Sequence, residues 1–262
     1  MAAKKAQLPK AKVFPLLPPA APLRLTGKVA LITGASRGMG YAIAHTLAGE
    51  GADVIITARD PAHLTDAAAQ LRKETKNHAK IVAMGCDIRT PESVARLFAV
   101  VKRRFGKLDI LVNNAGISQP PTPLAETTLE LWRSQIDTNL TGVYLCSRAA
   151  LPLLERGATI VNNLSAAAKQ VFPNFAAYTA AKTGAYGLTL SMRDELMPRG
   201  IRVTALMPGA TATDLWQQIM PNPPLDHMMN PASIAEAVLY AVLLPPEANL
   251  SEILVAPMAG AV

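Results

Sequence analysis

Seven short apolar or β-branched runs recur along the chain, separated by longer stretches whose apolar residues fall at helical spacing. The runs are VALIT at 29–33, DVIIT at 53–57, KIVAM at 80–84, LDILV at 108–112, ATIVNNL at 158–164, IRVTAL at 201–206 and EILVA at 252–256. Near-continuous apolar runs are what strands covered on both faces require, whereas a sheet with one wet face alternates. Strand alternating with helix therefore predicts an α/β fold: a single doubly wound domain with a seven-stranded, mostly parallel sheet, helices on both faces and right-handed crossovers. Asp60-Pro61, Thr90-Pro91 and Asn230-Pro231 each place a capping residue before a proline, marking three helix starts. No repeat or linker interrupts residues 27–262, which read as one domain behind an extension at 1–26.

Composition changes this picture little. Half of the 262 residues are hydrophobic, ample for one buried core, and no apolar run is long enough to cross a bilayer. The net charge of +7 suggests a nucleic-acid partner until it is divided: residues 1–26 carry five basic residues and no acidic one. The rest of the chain is close to neutral and lacks zinc-finger spacing or aromatics interleaved with basics, so neither nucleic acid nor membrane is expected as a partner. The apolar part of the extension is broken by Pro15, Pro18, Pro19 and Pro22, which reads as an extension rather than an export signal. Cys86 and Cys146 fall in apolar stretches and read as core residues of a reducing, cytoplasmic compartment. The four histidines are scattered, so no metal site is expected.

The first strand runs into Thr33-Gly34-Ala35-Ser36-Arg37-Gly38-Met39-Gly40 and then a helical pattern. Glycines let backbone amides approach a pyrophosphate, and the helix N-terminus favours its charge. Such a cluster also makes ordinary tight turns. The end of the second strand reads Thr57-Ala58-Arg59-Asp60, with alanine where a carboxylate for the ribose hydroxyls of NAD would stand. Asp60 precedes Pro61 and is better used as a helix cap. Arg37 and Arg59 are suited to a 2′-phosphate, which favours NADP(H) over NAD(H).

TGASRGMG, Asn113-Asn114-Ala115-Gly116 after the fourth strand, Tyr178-Thr179-Ala180-Ala181-Lys182, and Pro208-Gly209 after the sixth strand together resemble the short-chain dehydrogenase/reductase family, of Rossmann-type fold, over about 27–262. Tyr178 and Lys182 are four apart and share a helix face. A neighbouring ammonium and an oxidised nicotinamide would bring the tyrosine down from its ordinary value of about 10. The resemblance implies that Ser165, thirteen residues before Tyr178, bonds the substrate carbonyl, and that Asn139 holds a water in a proton relay. It further implies a cofactor lining of Gly34, Ser36, Arg37, Gly38, Met39, Gly40, Arg59, Asp87, Asn113, Ala115, Gly116, Tyr178, Lys182, Pro208, Gly209, Thr211 and Thr213. Asp87 would touch adenine, or merely cap its loop. The family's Ser-Ser pair is Leu164-Ser165 here.

The expected activity is hydride transfer between NADP(H) and a small-molecule carbonyl or secondary alcohol, with Tyr178 as proton donor or acceptor. Within the same chemistry stands a 3-oxoacyl-[acyl-carrier-protein] reductase, for which Arg103, Arg104 and Lys107 would dock an acidic carrier; the ending SEILVAPMAGAV lacks that group's common Gly-Gly. Outside it stands a non-catalytic NADP(H) sensor or scaffold, which often lacks the tyrosine or lysine. Trp216, Ile219, Met220, Met228 and Met229 read either as an apolar, adaptable pocket wall or as core packing. Family resemblance implies a homodimer or homotetramer.

Overall fold

The computed structural model describes residues 23–76 and 79–260; most of the extension read at 1–26 lies outside the described residues. Leu25 is buried in the core and its N–H donates to Glu50 C=O at 2.8 Å, while Arg24 Nε bonds the Glu50 carboxylate at 2.8 Å. The folded unit therefore already includes Leu23–Thr26, a few residues earlier than the boundary read from the sequence.

All seven expected strands form: β1 (Val29–Thr33), β2 (Asp53–Ala58), β3 (Ile81–Gly85), β4 (Leu108–Asn113), β5 (Leu154–Asn163), β6 (Arg202–Pro208) and β7 (Glu252–Val255). Their order is β3-β2-β1-β4-β5-β6-β7, and every pairing is parallel, where only a mostly parallel sheet was expected. β1 (Leu31), β2 (Ile55), β4 (Leu111) and β5 (Ile160) bury one face with α3 (Pro91–Phe105) and α5 (Gly142–Ala150). Ile32, Ile56, Val112 and Val161 bury the other with α1 (Gly38–Gly49), α2 (Pro61–Glu74) and α8 (Pro231–Leu243). Successive strand residues point to opposite faces, so unbroken apolar runs supply both cores at once.

The helix starts differ in chemistry. Asp60 and Asn230 cap α2 and α8 with their side chains, whereas the Thr90 hydroxyl makes no capping bond at α3. Gly106, left-handed at φ 74°, ends α3, and Lys102, Arg103 and Arg104 fill its last turn against the negative end of the helix dipole. α4 (Leu129–Ile136) and α5 are joined through a π-helical turn, Asp137–Thr141, which carries Asn139; α6 (Ala176–Leu196) carries Tyr178 and Lys182. A short α7 (Leu215–Ile219) follows β6. Among the described residues, no helix is long and apolar enough to cross a membrane. The strand order reverses between β1 and β4, and a crevice opens there at the strands' carboxyl ends.

Candidate active site

The glycine turn shows why no larger residue fits. Gly34 sits at φ 65°, and a Cβ there would lie 2.7 Å from the Ala115 Cα. At Gly40 a Cβ would lie 2.4 Å from Asn114 Nδ2 and from the Gly34 carbonyl oxygen. Contacts this short against backbone cannot relax, so the turn is packed to backbone thickness. No side chain caps α1 and no acidic residue stands in its first turn, which leaves its positive end directed at the crevice. The crevice encloses about 690 Å³, within the range of small-molecule and cofactor sites.

Its walls include Gly34, Ser36, Arg37, Gly38, Met39, Gly40, Arg59, Asp87, Ala115, Gly116 and Thr213, all expected there from the sequence. Thr213 stands over the turn, 3.3 Å from where a Gly38 Cβ would be. Asn113 does not line the crevice. It is 3% exposed, and its amide donates to Ser147 Oγ at 2.9 Å and Asn162 Oδ1 at 2.8 Å. As the last residue of β4 it points into the core, and the next residue, Asn114, takes the crevice wall instead. The crevice as enclosed also stops short of Pro208, Gly209 and Thr211. Gly209 N–H is bonded to Val255 C=O at 2.8 Å, and the buried Thr211 hydroxyl is turned back onto Gly209 C=O at 3.1 Å.

Sequence reasoning missed Ile117, Thr138, Arg89, His63 and Asp214 as wall residues. Arg89 grips Asp87 with Nε at 2.9 Å and Nη2 at 2.6 Å, holding that carboxyl well below its ordinary range. The Asp60 carboxylate accepts the Ala62 and His63 amides and pairs with His63 Nδ1 at 2.6 Å, so it is committed to its own helix. Arg59 is exposed on the same wall, and Arg37 lies 3.8 Å from Asp214.

A polar lattice crosses the strand ends. Asn114 Nδ2 donates to Thr33 C=O at 2.9 Å and Gly34 C=O at 3.1 Å, which turns its oxygen toward Asn163 Nδ2 at 2.8 Å. Asn162 links Asn113 to Thr189 Oγ1 on α6 at 2.9 Å. Lys182 Nζ donates to the Asn163 carbonyl at 3.4 Å and lies 5.7 Å from the Tyr178 ring centroid. It is 5% exposed, and burial lowers it from 10.5 to about 8. A Gly116 Cβ would fall 3.5 Å from Lys182 Nζ and 2.9 Å from Asn139 Oδ1, which brings lysine, asparagine and the crevice wall together.

Tyr178 faces Phe175 edge-on at 6.4 Å between ring centroids. Burial pushes its phenol above the ordinary value, and the neighbouring Ser165 hydroxyl works the other way. The sequence reading joins the ammonium to an oxidised nicotinamide in drawing the phenol down; in the chain alone desolvation is the larger effect. Ser165 follows β5 and accepts the Ala167 amide at 3.1 Å, which fixes its hydroxyl at the strand end. Asn139 reaches the stretch after β4, accepting from Ile117 N–H at 3.1 Å and donating to Ile117 C=O at 3.0 Å, and also donates to Gln135 Oε1 one turn earlier at 2.8 Å. The π-turn around it shifts the backbone ladder, a device common at functional sites and invisible in the side-chain pattern.

The segment after β6 is divided in its packing. Met228 is buried and Met229 packs against the core, whereas Met220 lines a separate hollow of about 390 Å³. Both cysteines are free and buried, and burial pushes the Cys146 thiol up.

Residues 28–224 match the short chain dehydrogenase family. The chain is 35% identical to a 3-oxoacyl-[acyl-carrier-protein] reductase of Synechocystis over 87% of this chain and 94% of that protein. It is 33% identical to an uncharacterized oxidoreductase of Staphylococcus saprophyticus, over 90% of this chain and all of that one. Among solved structures, an alcohol dehydrogenase of Thermococcus sibiricus complexed with 5-hydroxy-NADP superposes with TM-score 0.81 at 31% identity, covering 88% of this chain and 97% of that one. A short chain dehydrogenase of Burkholderia cenocepacia in complex with NADP gives 0.81 at 32%, covering 90% and 99%. Glycine turn, all-parallel sheet and sequence agree on one assignment: the chain is an oxidoreductase of the short-chain dehydrogenase family.

Proposed function

We propose that this enzyme reduces a small-molecule carbonyl to the alcohol at the expense of NADPH, with Tyr178 as proton donor. The reading rests chiefly on one juxtaposition: Lys182 lies beside Tyr178, Ser165 neighbours the Tyr178 phenol, and Gly116 of the crevice wall lies against both Lys182 and Asn139. Gly34, Gly38 and Gly40 with the start of α1 would seat the pyrophosphate, and Arg37 and Arg59 a 2′-phosphate. The commitment of Asp60 to His63 and its own helix removes the nearest carboxylate competitor for the ribose, which supports NADP(H) over NAD(H). The bound dinucleotide supplies the hydride. Ser165 donates a hydrogen bond to the carbonyl oxygen and stabilises the charge that develops there. Tyr178 gives that oxygen its proton, and the Lys182 ammonium lowers the cost of the phenolate left behind. Asn139 ties the Ile117 stretch to the same centre.

Neighbours bearing NADP support the dinucleotide; the resemblance favours action on a ketone or aldehyde as a homodimer or homotetramer, and two free buried cysteines suit the cytoplasm. Trp132 on α4 and Tyr144 on α5 are exposed apolar groups suited to such pairing. The Synechocystis relative favours one narrower reading, a 3-oxoacyl carrier-protein reductase. NADPH oxidation with a carbonyl panel and an acetoacetyl thioester, run beside Tyr178→Phe, tests the whole. The variant should bind NADPH as wild type does and lose at least about a hundredfold in turnover. Binding by wild type without turnover on any compound overturns the enzyme reading in favour of a sensor; tighter NADH than NADPH binding overturns the cofactor preference. An unreduced thioester removes the carrier-protein option.

A further inference from the structure

We propose that Gln119 is a substrate-recognition residue, and that the substrate carries, besides its reacting carbonyl, a hydrogen-bond donor and acceptor side by side, as a vicinal diol or primary amide does. This rests on the carbonyl-reducing reading above. Gln119 is 2% exposed, yet among the described residues neither its amide nitrogen nor its amide oxygen has a hydrogen-bond partner. Leaving both ends of a carboxamide unpaired costs the fold the desolvation of each group, so a buried amide in this state calls for an explanation.

Its position supplies one. The stretch from Gly116 to Thr122 is anchored at both ends to the candidate catalytic centre. At one end Gly116 lies against Lys182 and Asn139, and the Ile117 backbone is held by the Asn139 side chain. Ser118 C=O is held by Gln135 Nε2 at 3.2 Å. At the other end Thr122 N–H donates to Asn174 C=O at 2.8 Å, one residue before Phe175, which packs edge-on to Tyr178. Gln119 thus occupies the middle of a strap running from Lys182 to the residues in front of Tyr178. Because its amide makes no bond in the free chain, turning it toward a ligand breaks none. A partner offering donor and acceptor together satisfies both ends, whereas an apolar ketone satisfies neither.

The test compares kcat/KM for glyceraldehyde against propanal and for acetoacetamide against methyl propyl ketone, with NADPH, in wild type, Gln119→Met and Gln119→Glu. Wild type should prefer each polar member by about tenfold or more. Gln119→Met should erase both preferences, bringing each polar-to-apolar ratio of kcat/KM to about one. Gln119→Glu keeps acceptors and loses donors, so it should reduce both preferences without erasing them; it also carries the test should the methionine variant fail to fold. Equal polar-to-apolar ratios in wild type and the variants overturn this assignment alone. Absence of turnover on all four compounds overturns the carbonyl reading, and this one with it.

Discussion

Lys182 is an ammonium enclosed by protein at 5% exposure, with a carbonyl bond at 3.4 Å and, among the described residues, no carboxylate partner. Burial lowers it from 10.5 to about 8. The sign follows from proton counting. Below about 8 the lysine is charged folded and unfolded, and the fold bears the full desolvation cost. Between about 8 and 10.5 the unfolded chain holds the proton and the folded chain has released it, so stability rises with pH; above 10.5 the cost is gone. At roughly 1.4 kcal/mol per pKa unit the window is worth on the order of 3 kcal/mol. Urea denaturation of the cofactor-free protein at several pH values from about 7 to about 10 reads it, comparing wild type with Lys182→Met. Tyr178 is also titratable, its phenol pushed up by burial, so both chains are best placed on a Tyr178→Phe background. The stability difference should shift in favour of lysine by on the order of 3 kcal/mol as pH rises, because methionine carries no charge to relieve. A difference constant across the window would mean that water or a rearranged partner already solvates the ammonium, and the argument from burial would fail.

Two further substitutions probe the frame around this lysine. Gly34→Ala puts a methyl group 2.7 Å from backbone at φ 65°, so it should cost at least about 2 kcal/mol in urea denaturation and weaken NADPH binding tenfold or more by fluorescence titration; wild-type affinity would show that the turn can shift. Asn162→Leu takes one acceptor from Asn113 and the donor from Thr189 Oγ1 in the dry core, so it should destabilise by about 2 kcal/mol, and a neutral or raised Tm would refute the lattice as a source of stability.

The fold was legible because a doubly covered parallel sheet writes itself into the chain as uninterrupted apolar runs. VALIT matches β1 residue for residue, and the other six runs fall on strands within a few positions. The main extension is at β5, which starts at Leu154, ahead of the run read from 158; Leu154, Glu155, Arg156 and Gly157 do not look like strand residues, and Leu154 joins the sheet by pairing with Leu108. Tertiary pairing there overrides local propensity. The crevice wall around the glycine turn was readable for a similar reason: glycines betray close backbone approach. Arg89 and His63 were not, since each is ordinary in sequence and acquires meaning only through the carboxylate it meets, Asp87 or Asp60. Asn113 was misplaced because a motif does not say which of two adjacent asparagines faces inward, whereas strand alternation does. The upward displacement of Tyr178 was missed because desolvation belongs to the folded environment and no pattern of charges reveals it.

That environment has an internal logic that joins turn and lysine. Asn114 spends both amide hydrogens on the Thr33 and Gly34 carbonyls, so its oxygen can only accept, and Asn163 must present its nitrogen. Asn163 is thereby fixed by the glycine turn, and its backbone carbonyl is the one that holds Lys182. The orientation of each amide is dictated by the one before it, and each is partly or fully buried where an unmade bond is costly. The glycine turn proposed to seat the pyrophosphate is thus connected to the ammonium beside Tyr178 through two side chains. On the proposed reading this lattice ties the cofactor's seat to the proton donor's neighbour, which is what alignment of a hydride and a proton on the two ends of one carbonyl requires.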